Sequence, residues 1–123
     1  MEIKRVLIAD DSKFMRLVMR NLMISQGLEV VGEAEDVPQA VKKYHELKPD
    51  LVTMDLVMPG DSGLKGVEQI RQMDPNARIL VISALGQQQM IDDAMRLGAK
   101  GFVEKPLKAE QLAEALVMLR KGA

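Results

Sequence analysis

The sequence has no cysteine and no tryptophan, and its aromatic residues are one tyrosine and two phenylalanines. Without cysteine, the chain has no thiol nucleophile, no cysteine-ligated zinc site and no iron–sulfur cluster. A chain without thiols fits a reducing compartment, so we expect a cytoplasmic protein.

An excess of charge of one sign is also missing. The 17 lysine and arginine residues nearly balance the 18 aspartate and glutamate residues, the formal net charge is −1, and the basic residues form no cluster. Because nucleic acid binding needs a basic surface, we expect no nucleic acid partner.

Long apolar runs are absent as well. The first run, Val6 to Ala9, is far shorter than the roughly 18 residues that cross a bilayer, and no small-residue cleavage site follows it. We therefore expect neither a signal peptide nor membrane insertion. A length of 123 residues suits one domain whose core needs no disulfide.

Short runs rich in valine and isoleucine alternate with longer segments of helical period. This pattern predicts βα units around a parallel sheet, whose strands are apolar because helices cover both faces. The predicted strands are Arg5 to Ala9, Val30 to Ala34, Leu51 to Met54, Ile79 to Ile82 and Gly101 to Val103. The predicted helices are Ser12 to Gln26, Pro38 to Leu47, Leu64 to Met73, Gln87 to Leu97 and Lys108 to Leu119. Right-handed crossovers then give an α/β fold, a doubly wound (βα)5 sandwich.

Two residue types in the predicted helices have ordinary structural interpretations. Met15, Met19 and Met23 form a stripe on the first helix, which favours core packing over a partner contact. His45 is the only histidine and lies on the polar side of the second helix, where we expect it to be solvated.

Polar residues follow four of the five predicted strands at the point where each strand ends. They are Asp10, Asp11, Asp55, Ser83, Glu104 and Lys105. Each could be a helix cap or a loop residue, and Ser12 or Asp11 is a good N-cap for the first helix. Their joint placement instead predicts a ligand site, because the carboxyl ends of parallel strands meet at the edge where open α/β sheets bind ligands.

Three carboxylates at one edge repel each other, which favours a bound cation. Mg²⁺ fits such a site better than Ca²⁺, since it uses one or two carboxylates together with phosphate oxygens and water. A carboxylate, a lysine, a hydroxyl and Mg²⁺ together suit phosphoryl transfer, in which a carboxylate nucleophile forms an aspartyl phosphate.

Four segments resemble the receiver domain of two-component response regulators. They are residues 6–12 (VLIADDS), 52–63 (VTMDLVMPGDSG), 81–84 (VISA) and 98–106 (GAKGFVEKP). The resemblance covers nearly the whole chain and, within the family, is greatest to stand-alone chemotaxis regulators. It implies the flavodoxin-like strand order 2-1-3-4-5 and a single receiver domain over residues 1–123 without an output domain.

The resemblance also implies functions for the residues at the sheet edge. Asp55 would accept a phosphoryl group from a phosphohistidine on a histidine kinase. Asp11, Asp55 and the backbone carbonyl of Val57 would bind Mg²⁺, with Asp10 acting through a bound water. Lys105 would pair with a phosphoryl oxygen.

The same resemblance implies a switch. The Ser83 hydroxyl would move toward the phosphoryl group and form a hydrogen bond with it, and Phe102 would fill the space behind. The Lys105–Pro106 peptide bond would be cis. A target, such as the flagellar motor switch, would bind the face made by the fourth helix, fifth strand and fifth helix. The protein would assist its own phosphorylation and dephosphorylation without being an enzyme in the ordinary sense.

Three other functions are compatible with parts of this pattern. The chain could be a phosphate sink or phosphorelay intermediate outside chemotaxis. An aspartate-nucleophile phosphohydrolase would need a D-x-D spacing, whereas Asp10 and Asp11 are adjacent. An FMN-binding flavodoxin would need aromatic residues to stack the flavin, and these are only 2% of the chain.

Val57 and Leu85 lie two residues after Asp55 and Ser83, and both are apolar. By resemblance these positions flank the path of the water that attacks the phosphoryl group. Apolar side chains there cannot orient this water. We therefore expect a long-lived phosphorylated state and a separate phosphatase.

Overall fold

Five strands and five helices alternate in the computed structural model, which describes residues 2–84 and 86–121. The strands are β1 (Arg5–Ala9), β2 (Glu29–Ala34), β3 (Leu51–Asp55), β4 (Ile79–Ser83) and β5 (Gly101–Glu104). The helices are α1 (Lys13–Ser25), α2 (Val37–Leu47), α3 (Gly63–Met73), α4 (Gln88–Arg96) and α5 (Ala109–Lys121). The strands form one sheet of order β2-β1-β3-β4-β5, in which every pair is parallel. The predicted fold class and strand order are thus confirmed.

The predicted element boundaries lie within two residues of the observed ones, and both ends of β1 agree. The largest change at the site is that β3 and β4 continue through Asp55 and Ser83, which pair with Ile82 and Glu104. These polar residues were predicted to follow the strands, but they are held by the sheet itself. At α1 the helix begins one residue later than predicted, because Ser12 is the N-cap and accepts from the Met15 N–H.

Alternate residues of β1, β3 and β4 pack on opposite sides of the sheet. Leu51 packs with α1 and α5, whereas Val52 and Met54 pack with α2, α3 and α4. Met19 and Met23 of the predicted methionine stripe are buried in the first of these cores, while Met15 is partly exposed. The apolar surface of α1 also extends to solvent, where Phe14 is 71% exposed.

Turn residues orient the helices relative to the sheet. Asp36 is the N-cap of α2 and accepts from the Gln39 N–H at 2.9 Å. Gly27 and Gly98 follow α1 and α4 with φ of 82° and 112°, in the left-handed region that glycine adopts without strain.

Within residues 2–84 and 86–121, no helix combines the length and apolar character needed to cross a bilayer.

Candidate functional site

Three carboxylates meet at the carboxyl edge of β1 and β3. Asp10 and Asp11 follow β1, Asp55 ends β3, and these two strands are neighbours in the sheet. One oxygen of each carboxylate lies within 4.8 Å of the others. Asp10 and Asp55 are buried and Asp11 is exposed, so the cluster opens to solvent on the Asp11 side.

Backbone N–H groups hold the two buried carboxylates in place. Asp10 Oδ1 accepts from the Ser12 N–H at 2.8 Å, and Asp55 Oδ1 accepts from the Val57 N–H at 3.1 Å. Each bond runs to the residue two positions ahead, as in an Asx-turn. The Asp10 N–H itself donates to the Ala34 carbonyl at 3.0 Å, which extends the sheet pairing to the site.

Lys105 is the one cationic residue within ion-pair distance of the cluster among residues 2–84 and 86–121. Its Nζ lies 3.2 Å from Asp55 Oδ2 and 3.7 Å from Asp10 Oδ2. The Lys105 N–H donates to the Ser83 carbonyl at 2.7 Å, and the Lys105–Pro106 peptide bond is cis. Glu104, which was grouped with these residues on sequence grounds, is not part of the carboxylate cluster among the described residues.

The charge balance of the cluster favours a cation. Burial raises the pKa of Asp10 above its ordinary value, and the negative charges of Asp55 and Asp11 raise it further. The Ser12 N–H and the Lys105 ammonium lower the pKa of Asp10, but they do not cancel the increase. One lysine therefore leaves negative charge uncompensated among oxygen donors. This donor set fits a hard divalent cation such as Mg²⁺.

Gly63, at the start of α3, is a site residue that was not singled out from the sequence. A Cβ atom at this position would lie 2.1 Å from the Asp55 carbonyl oxygen. The Gly63 N–H donates to the Leu56 carbonyl at 3.0 Å. The sequence feature that could have indicated Gly63 is its position in the first turn of a helix, directly after the N-cap Ser62. Helices otherwise disfavour glycine.

Ser83 and Phe102 lie on the neighbouring strands β4 and β5. Ser83 is fully buried, and its hydroxyl has no hydrogen-bond partner among the described groups. Phe102 is 44% exposed. A buried hydroxyl without a partner costs about 1–3 kcal/mol, which makes Ser83 ready to gain a new acceptor.

Two further positions complete the comparison with the sequence predictions. Val57 is exposed beside Asp55, and Leu85 lies outside the described residues. Thr53, on β3, has a buried hydroxyl without a partner among the described groups, and nothing in the structure explains its presence.

The sequence model of the response regulator receiver domain matches residues 6–117. Chemotaxis protein CheY of Thermotoga maritima is 48% identical over 118 residues, which cover 96% of this chain and 98% of that protein. Among solved structures, a LuxR-family two-component response regulator from Aurantimonas sp. is 34% identical with a TM-score of 0.91, over 98% of this chain and 87% of that chain. A CheX-CheY-BeF3-Mg²⁺ complex from Borrelia burgdorferi is 35% identical with a TM-score of 0.89, over 95% and 89% of the two chains.

Proposed function

This chain belongs to the response regulator receiver domain family, and on that basis we propose that it is a phosphorylation-switched regulator of a two-component signalling pathway. Asp55 accepts a phosphoryl group from a phosphohistidine of a histidine kinase, and the phosphorylated chain then binds a target protein. The observation that carries the proposal is the 3.2 Å contact between Lys105 Nζ and Asp55 Oδ2 inside a cluster of three carboxylates.

The transfer step needs a carboxylate nucleophile at the edge of the site. A carboxylate oxygen of Asp55 forms the new O–P bond while the N–P bond of the phosphohistidine breaks, and the electron pair of that bond stays on the imidazole. The Val57 N–H and the sheet pairing of Asp55 fix the direction of this carboxylate before the donor arrives. Such positioning supplies much of the rate in phosphoryl transfer, where the protein does little covalent chemistry.

Mg²⁺ would be held by Asp11, Asp55 and the Val57 carbonyl, with Asp10 acting through a bound water, and it would neutralise charge on the phosphoryl oxygens. Lys105 has a separate function. Because its ammonium lies 3.2 Å from Asp55 Oδ2, it is in place to pair with an oxygen of the phosphoryl group once that group is attached.

The switch that we propose begins at Ser83. Its hydroxyl, which has no partner among the described groups, donates a hydrogen bond to the attached phosphoryl group, and this draws the loop after β4 toward the site. Phe102, exposed in the structure, then becomes buried behind that loop. The added phosphoryl charge thus favours one of two packing states.

The target surface in this proposal is the face made by α4, β5 and α5. Several apolar side chains are exposed on these three elements: Met95, Phe102, Val117 and Met118.

We place the chain in chemotaxis, with the flagellar motor switch as the target, because the T. maritima relative is a chemotaxis protein and is covered over 98% of its length. The B. burgdorferi CheY is in a complex with CheX, which supports a separate partner of that kind, acting as phosphatase, for this chain as well.

The proposal is tested by incubating the chain with acetyl phosphate and Mg²⁺ and measuring its intact mass. We expect a transient increase corresponding to one phosphoryl group. The Asp55→Asn variant should show none, since an amide does not form the acyl phosphate. The matched control is Asp61→Asn, which removes an acid from the following loop, outside the cluster, and should be labelled like the parent.

Equal labelling of Asp55→Asn and the parent would contradict the assignment of Asp55. Steady release of phosphate with many turnovers would contradict the signalling function and support a phosphohydrolase.

A further inference from the structure

Arg16, in the first turn of α1, connects two distant parts of the chain. Its Nη1 donates to the backbone carbonyl of Asp10 at 2.8 Å, and its Nε donates to Glu33 Oε1, on β2, at 3.0 Å. The Arg16 side chain is only 11% exposed. The guanidinium of Arg16 is therefore held on one side by the Glu33 carboxylate and on the other by the Asp10–Asp11 segment, which carries two of the three clustered acids.

The carbonyl that Arg16 contacts belongs to the peptide unit between Asp10 and Asp11. Since a peptide unit is planar, fixing the direction of this carbonyl also fixes the position of the Asp11 Cα atom. β1 ends at Ala9, so Asp10 lies beyond the last residue of the strand. Asp11 is exposed, and the position of its carboxylate therefore depends on the backbone rather than on packing.

Arginine suits this position because its guanidinium is planar and carries several N–H donors in a rigid fork. It can donate to the Asp10 carbonyl and to Glu33 at the same time, which a lysine ammonium on a flexible stem does less well. Glu33 also accepts from Arg20 Nη1, at 3.3 Å, but Arg20 forms no bond to the Asp10 carbonyl among the described contacts. Arg16 and Arg20 thus share a carboxylate and differ in their contact with the acidic segment.

We propose that Arg16 is a positioning residue for the cation site: it fixes the Asp10–Asp11 peptide unit so that both carboxylates are aligned with Asp55 before a divalent cation binds. This inference rests on the proposed function for its choice of Mg²⁺ as the ligand. The alignment of the backbone by Arg16 is a property of the chain itself and can be measured without any metal.

The test compares Arg16→Met with the matched control Arg20→Met. Both variants lose one arginine, one positive charge and one ion pair with Glu33, but only the first loses the bond to the Asp10 carbonyl. Mg²⁺ affinity is measured by calorimetric titration at fixed ionic strength. We expect Arg16→Met to bind about tenfold more weakly than the parent, the effect typical of residues that orient metal ligands, and Arg20→Met to stay within about twofold of it.

Two further measurements separate positioning from a general loss of stability. In metal-free protein, hydrogen exchange at the Ser12 amide, which donates to Asp10 Oδ1, should become faster in Arg16→Met and not in Arg20→Met, while amides in β4 keep their protection in both. Arg16→Lys should recover part of the Mg²⁺ affinity, because it restores one charge and one donor.

Equal Mg²⁺ affinities in the two methionine variants would overturn the inference, as would unchanged exchange at the Ser12 amide. Failure of the proposed function would look different. The parent chain would then not be labelled at Asp55, while the difference in hydrogen exchange between the Arg16 and Arg20 variants would still be present.

Discussion

Val57 is 53% exposed two residues after Asp55, and its backbone N–H already bonds the Asp55 carboxylate. A substitution there changes an exposed side chain close in sequence to Asp55 and leaves this backbone bond in place. Val57→Asn adds an amide that can hydrogen-bond a water near the phosphoryl group of the phosphorylated chain. We expect the phosphorylated state to decay several-fold to tenfold faster, where tenfold corresponds to about 1.4 kcal/mol of barrier.

Decay is followed by intact mass after the phosphodonor is removed. Val117→Asn is the matched control, since Val117 is similarly exposed but lies on α5, and its decay should equal that of the parent. A Val57→Asn variant that decays no faster than the parent would mean that the side chain at position 57 does not control access of water.

At the scale of secondary-structure elements, Asp50 joins the start of β1 to the start of β3. Its Oδ2 accepts from the N–H groups of Lys4 and Arg5, at 3.0 and 2.9 Å. Burial raises the pKa of Asp50, but these two bonds and the charges of Arg5 and Arg78 outweigh that effect, so its pKa is below the ordinary value. The ionised form of Asp50 therefore stabilises the folded chain.

Asp50→Asn should lower the free energy of unfolding at pH 7 by about 1 kcal/mol. This effect is smaller than that of a fully buried hydrogen bond to a charged group, because Asp50 is partly exposed and solvent screens its charge. The stabilisation by Asp50 is complete above its pKa in the unfolded chain, and it is lost as pH falls through its lower folded pKa. The difference between variant and parent should thus shrink in acid. Urea unfolding from pH 7 to pH 3 measures this difference in the free energy of unfolding. Asp92→Asn on α4 is the control. A difference that is constant over this range would contradict the prediction.

The elements were predictable from the sequence because each depends on a local pattern. Apolar runs mark the strands, and the Ser12 cap of α1 can be recognised from neighbouring residues alone. The exact strand ends were not predictable, since Asp55 and Ser83 belong to the sheet through pairing with distant residues.

The candidate site shows the same limit. Polar residues at strand ends predicted the cluster of Asp10, Asp11 and Asp55, because parallel strands bring their carboxyl ends to one edge. The bonds from Arg16 to Asp10 and Glu33 were not predictable, because they depend on how α1 packs across β2. Periodicity alone does not give the rotation of a helix at that accuracy.

At the scale of the whole molecule, the net charge is only −1, but negative charge is concentrated at the cluster of Asp10, Asp11 and Asp55. The pKa of Asp10 is raised by burial and by the neighbouring acids, so folding disfavours its ionised form. The contribution of Asp10 to the stability of the metal-free chain should therefore become more favourable as pH falls through its raised folded pKa toward its lower pKa in the unfolded chain, because the folded state binds the proton more tightly than the unfolded state does.

Asp10→Asn should remove much of this pH dependence and raise the free energy of unfolding at pH 7 without metal, by on the order of 1 kcal/mol. The amide oxygen can still accept from the Ser12 N–H, so the local turn is retained. With millimolar Mg²⁺ the parent should gain more stability than the variant. Thermal unfolding of parent and variant over a pH series from 7 to 4, with EDTA or Mg²⁺, checks both effects. A metal-free Asp10→Asn variant less stable than the parent at pH 7 would contradict this account.

The strand order also determines when the cluster comes into existence during folding. β1 is first in the chain but lies inside the sheet, between β2 and β3, and its pairing with β3 joins Val6 to Leu51 across the whole of α1, β2 and α2. Contacts between such distant residues form late, since the loop must close before they contribute. Asp10 and Asp55 are therefore far apart until the centre of the sheet has assembled. A cation bound by these carboxylates would therefore slow unfolding of the assembled sheet and would have little effect on the rate of folding.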